Sequence, residues 1–204
     1  MTAGGAGQSM VVLGLCLLLV GCPHRRSDAV KTLTTQLSAR QQCREKSLAL
    51  YRKGLDAYRA SLRDKAQEYL AGSVAEDERN AHAWMALGVV EFERDRLFEA
   101  AHAFHRAARL APDRYEPHFN LGMLMESVGR YAQAITAYEK ALTLSVDQTE
   151  VMENLARCYL VTNQNSVKAK ELVDRALLSE RRPEWRAWLE RQSRLLAAKT
   201  GLPR

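Results

Sequence analysis

A 34-residue spacing recurs along the middle of the chain, and nothing else in the sequence constrains the fold as strongly. In 81–114, Trp84, Leu87, Gly88, Ala100, Phe104, Ala107 and Pro112 stand at unit positions 4, 7, 8, 20, 24, 27 and 32. The next unit, 115–148, carries Leu121, Gly122, Ala134, Tyr138 and Ala141 in register, with His118 at position 4 and Val146 at position 32. A further unit from Thr149 has Met152, Leu155, Ala156 and Tyr159. It then needs one inserted residue, placed in the turn from Asn163 to Ser166, to align Ala169, Val173 and Ala176. Upstream, 47–80 fits more loosely, with Leu50, Gly54, Ala66 and Leu70 in place but Lys53 at position 7 and Ser73 at position 27.

The chemistry of these positions is steric. Small residues at positions 8, 20 and 27 let antiparallel helices approach closely, and large ones at 4, 7 and 24 fill the gaps between them. With only 5 Pro and 11 Gly in 204 residues, and no Asn-Gly or Asp-Gly hairpin signal, the expected fold class is all-α. The pattern resembles the tetratricopeptide repeat. That resemblance implies a right-handed superhelical solenoid of antiparallel helix pairs, in four repeats at 47–80, 81–114, 115–148 and 149–182. Each pair buries its remaining apolar face only against the next, so the end of the array needs a cap. Residues 183–204 supply one, with Trp185, Trp188, Leu189, Leu195 and Leu196 expected to face inward. Asp28–Lys46 reads as a separate amphipathic helix carrying Val30, Leu33, Leu37 and Cys43.

Met10 to Val20 is an 11-residue apolar run, too short to span a bilayer as a helix of about 20 residues but suited to the core of a secretory signal. It ends in Leu19-Val20-Gly21-Cys22, which resembles the bacterial lipoprotein signal, although Met1–Met10 holds no Lys or Arg. The resemblance implies removal of residues 1–21, acylation of Cys22, and a lipid-anchored segment over 22–46. Several acyl chains hold far more firmly than one. The expected address is the bacterial cell envelope, and Pro23 after the cysteine favours the outer membrane, facing the periplasm.

The net charge of +6 is unevenly spread, with 15 acidic and 9 basic residues in 66–167 and basic segments on either side. That is not the single basic stripe with stacking aromatics that a nucleic-acid partner needs. His102 and His105 sit one helical turn apart without a third metal ligand nearby, so no metal site is expected. No nucleophile elbow, phosphate-binding loop or HExxH helix occurs, and neither catalysis, a cofactor nor a small-molecule substrate is expected. Cys158 reads as a small buried hydrophobe.

Function in tetratricopeptide arrays usually resides on the concave face built by the first helix of each repeat. Carried over position by position, the protein-binding residues would be Tyr51, Leu55 and Tyr58 in repeat one, Met85, Val89 and Phe92 in repeat two, Phe119, Asn120, Met123 and Glu126 in repeat three, and Asn154 and Arg157 in repeat four. Asn120 and Asn154 resemble the asparagine ladder of peptide-holding tetratricopeptide superhelices, where side-chain amides grip the ligand backbone; helix-surface decoration is the equal alternative. The acids Glu116, Glu126, Glu150 and Glu153 would favour a basic ligand. Covering of Tyr51, Tyr58 and Phe92 by the Asp28–Lys46 helix is a second arrangement of the groove. The expected role is a membrane-anchored interaction scaffold that holds a protein or extended peptide. In architecture it resembles the small repeat lipoproteins that assemble secretins in pilus biogenesis; a periplasmic peptide carrier or an accessory subunit of a cell-wall enzyme is the alternative.

Overall fold

The computed structural model describes residues 23–201, so the run Met10–Val20 and Cys22 lie outside the described residues. The elements are all helical: α1 (Pro23–Arg59), α2 (Arg63–Glu76), α3 (Ala81–Glu93), α4 (Leu97–Leu110), α5 (Glu116–Ser127), α6 (Tyr131–Leu144), α7 (Thr149–Val161), α8 (Ser166–Ser179) and α9 (Pro183–Thr200). Two units divide the chain at Glu45 and Lys46. The first contains the N-terminal part of α1, whose residues 31–45 are exposed, Leu33 and Leu37 among them. The expected separate helix over Asp28–Lys46 is therefore corrected: α1 runs unbroken into repeat one. The physical reason is plain in the sequence, which has no Gly or Pro from His24 to Lys53 to end a helix.

The second unit is a stack of antiparallel pairs, α1 with α2, α3 with α4, α5 with α6 and α7 with α8, followed by α9 against α8. What sets the close approach within each pair is a glycine under a large side chain. A Cβ on Gly54 would lie 2.6 Å from Leu70 Cγ, one on Gly88 would lie 2.5 Å from Phe104 Cε1, and one on Gly122 would run into the Tyr138 ring. In the fourth pair both partners change together: Ala156 replaces the glycine and Val173 the large residue, and both are fully buried. Repeat one departs from the pattern at Ser73, which is buried beside Ser47. The two hydroxyls each donate to the other residue's carbonyl at 2.8 Å, and Asn80 Nδ2 donates to Ser47 Oγ at 3.0 Å while Asn80 caps α3 through the Ala83 amide. This buried polar trio is fully satisfied, so it costs little and fixes how repeat two docks.

The turns inside the pairs each need one left-handed residue, supplied by Ser61, Asp95, Gly129 and Asn163. The fourth turn adds a second, Asn165, whose side chain accepts from the Lys168 amide at 3.1 Å and so starts α8. At the C-terminal end, Leu189 and Leu196 of α9 are buried and Trp188 is half-buried, but Leu195 points to solvent. That expectation is corrected by helical phase: Ser193, not Leu195, shares the inward face, and its hydroxyl donates to Asp174 at 2.7 Å.

Candidate ligand-binding groove

The first helices of the pairs place their residues along one surface, with α3 beside α5 and α5 beside α7. All twelve expected groove residues are partly exposed. Met85, Val89 and Phe92 rest on the core between repeats two and three, and Phe119 and Met123 rest on the core of the C-terminal half. Phe119 leans on the Tyr138 ring with centroids 5.9 Å apart. Tyr51 and Tyr58 pack on the repeat-one core. A cavity of about 220 Å³ opens among Tyr51, His82, Met85, Ala86, Arg114 and Glu116. Its lining is mostly apolar, with Arg114 and Glu116 the charged members.

The two asparagines are not bare. Asn120 Nδ2 points at Met85 Sδ at 3.6 Å, and Asn154 Oδ1 accepts from Arg157 Nη2 at 2.9 Å. Asn120 therefore keeps its carbonyl, and Asn154 its two N–H donors, for a ligand backbone. The acids are the larger surprise. Glu126 accepts from Tyr138 Oη at 2.8 Å and Arg157 Nε at 2.7 Å, and this pairing raises the Arg157 guanidinium still further. Glu116 meets Arg114 at 2.6 Å, and that partner holds its carboxyl below the usual range. Glu93 is bound by Arg63 at 2.6 Å and by the Tyr58 hydroxyl, whose ionisation it makes harder. Arg63 also lies 4.4 Å from the centre of the Tyr58 ring. The expected acidic lining is thus largely neutralised by arginines. Glu153 leaves the surface altogether, 2% exposed, with its carboxylate 2.8 Å from Arg182 and its pKa pushed up to about 7 chiefly by burial.

His82 comes to this surface from the first helix of repeat two, and Arg63 and Arg114 join it from outside the first helices, where the concave-face repeat positions did not mark them. His82 stacks obliquely on Tyr51 at 6.3 Å and meets Arg114 Nη1 at 3.1 Å, while Arg114 forms a fork on Glu116. The signal was positional: His82 and Glu116 occupy unit position 2 of adjacent repeats, and Arg114 is the last residue of the unit that His82 belongs to, two before Glu116. Among the described residues no group of three metal-ligating side chains converges, and no helix is long and apolar enough to cross a membrane. Cys43 is free and exposed; Cys158 is free and buried, with its thiol pushed up to about 12 by that burial.

Two family models described as tetratricopeptide repeat match the chain, one at residues 51–115 and 99–148 and the other at 125–191. The chain belongs to the tetratricopeptide-repeat family. Tetratricopeptide-repeat folds are typically non-catalytic scaffolds for protein interaction. The repeats are 25% identical to Superkiller complex protein 3 of Mus musculus over 135 residues, which is 63% of this chain but 9% of that one. The chain therefore spans under a tenth of the length of that curated relative. Among solved structures, the repeat array is similar to MamA, with a TM-score of 0.61 at 25% identity over 64% of this chain and 76% of that one. It is also similar in fold to YrrB, described as a TPR protein with an unusual peptide-binding site, with a TM-score of 0.65 at 14% identity over 81% of this chain and 83% of that one.

Proposed function

We propose that this tetratricopeptide array is a lipid-anchored scaffold of the bacterial cell envelope that holds a protein segment or extended peptide in its concave groove. The observation that carries the reading is the row of half-exposed apolar side chains, Met85, Val89, Phe92, Phe119 and Met123, set beside amide groups with hydrogen-bonding capacity left over. Aromatic and aliphatic anchors of this kind dominate binding energy, and amides serve any peptide backbone regardless of sequence. The peptide-binding site named for YrrB supports the same use of the fold. Because the groove acids are already paired with arginines, the ligand is selected by apolar contact and backbone hydrogen bonds more than by charge.

The anchor rests on Leu19-Val20-Gly21-Cys22 at the end of the apolar run. Cys22→Ser should release the protein into the soluble fraction or leave it unprocessed; unchanged membrane partitioning together with unchanged mass overturns the lipoprotein assignment. A role in assembling a secretin, a pilus component or another outer-membrane complex follows from architecture, a lipid anchor joined to a short array. Co-purification from crosslinked membranes tests it: a secretin or pilus protein supports that role, whereas a cell-wall hydrolase or free peptides favour an accessory or carrier role.

A further inference from the structure

A second cavity, a shallow depression of about 470 Å³, is lined by His105, Ala108, Arg109, Pro112, His118 and Lys140. None of these residues lines the groove cavity. Four of the six can carry positive charge, and no carboxylate is among them. The chain brings them from three elements: His105 and Arg109 stand one turn apart on α4, His118 is in the first turn of α5, and Lys140 is on α6. The surrounding charges do not relieve this concentration. Arg106, the neighbouring cation on α4, is taken by Glu78 and by the Trp84 ring; Glu116, two residues before His118, is taken by Arg114; Glu139, next to Lys140, is taken by Lys168 and Tyr159; and Asp113 in the α4–α5 turn acts on Arg114. The side chains of His105, Arg109, His118 and Lys140 form no ion pair or hydrogen bond among the described residues.

Like charges gathered without a counter-charge disfavour their own ionisation, and an anion in their midst reverses that. We infer that the depression between α4 and the α5–α6 pair is a binding site for a phosphate monoester dianion, held by Arg109 and Lys140 and capped by the His105 and His118 rings. The monoester is favoured over a phosphodiester such as a lipid headgroup because several positive groups converge here and a single negative charge would leave most of them uncompensated. A monoester gains its second charge near pH 6, about where imidazoles gain their proton. The His118 ring is held below its usual protonation range by burial, by Lys140 and by His105, so a dianion would raise it and binding would strengthen as the pH falls from 8 towards about 6.5.

The test uses the full chain with labelled histidines, titrated by nuclear magnetic resonance with inorganic phosphate at constant ionic strength. The expected result is saturable movement of the His105 and His118 rings, an upward shift in the His118 titration, and no comparable change at His82 or His102. Arg109→Ala combined with Lys140→Ala should weaken phosphate at least about tenfold, while Lys140→Arg retains binding. Both residues are exposed, and unchanged helical circular dichroism confirms that the fold is intact. Equal small movements at all the histidines, or unchanged affinity in the double variant, would overturn the site. Phosphatidylglycerol vesicles that bind through these four residues while inorganic phosphate fails to compete would overturn the monoester in favour of a headgroup.

Discussion

Tyr138 is held from two sides, its ring lying on Gly122 and its hydroxyl donating to Glu126, which also takes Arg157 from the next repeat. One residue thereby joins the packing of a helix pair to the polar lining of the groove. Gly122→Leu should therefore cost about 1–3 kcal/mol or more in stability, because the ring that must move is itself tied down. Gly72→Ala is the contrasting case: the added methyl would lie 3.4 Å from Leu50 Cδ1, and the gain in helix propensity should leave stability unchanged or raise it by up to about 1 kcal/mol. Chemical denaturation of the two variants checks both; an unchanged midpoint for Gly122→Leu contradicts the register. Sequence spacing made the Gly88 and Phe104 or Gly122 and Tyr138 pairings legible, since both members sit at fixed unit positions. It could not make the arginine partners legible. Arg63 with Glu93, and Arg157 with Glu126, lie on different repeats about 30 residues apart, and only the stacking angle brings them together.

Within single elements, helical phase and breakers decide what can be read in advance. The expected end of the N-terminal helix at Lys46 failed because no breaker stands between Lys46 and Ser47, and the expected inward Leu195 failed because 100° per residue puts it on the outer face of α9 while Leu189 and Leu196 share the inner one. The junction of α7 with the α8–α9 turn was not readable, because it depends on Arg182 bridging Glu153 and Glu180 at 2.8 and 2.5 Å while stacking over Trp185. Arg182 holds the Glu180 carboxyl well below the ordinary range, whereas burial lifts Glu153 to about 7. The two have opposite consequences. Glu180 contributes stability that is present above the unfolded carboxyl pKa and lost in acid; Glu153, raised in the fold, makes charging costly, so stability falls as pH rises from the unfolded value through about 7. Glu153→Gln keeps a donor for Glu180 and removes that charge. Its melting temperature should equal or exceed that of the parent at pH 8 and show less decline between pH 5 and 8; identical pH dependence in the two proteins contradicts the assignment.

Over the whole molecule, the repeats convert four local packing rules into one continuous surface on α1, α3, α5 and α7, and the central claim is that this surface holds a polypeptide. Photo-crosslinking from single sites in the full-length chain, in its own cells, tests that most directly. A benzophenone side chain at Phe92, Phe119 or Met123 should join to the same polypeptide partner, and one at the exposed Phe98 or Leu178 should not. Phe119→Ala should weaken that partner by more than about 1 kcal/mol without changing the helical spectrum. Crosslinks that form from Phe98 and Leu178 but not from the groove sites, with binding undiminished in Phe119→Ala, would contradict the account.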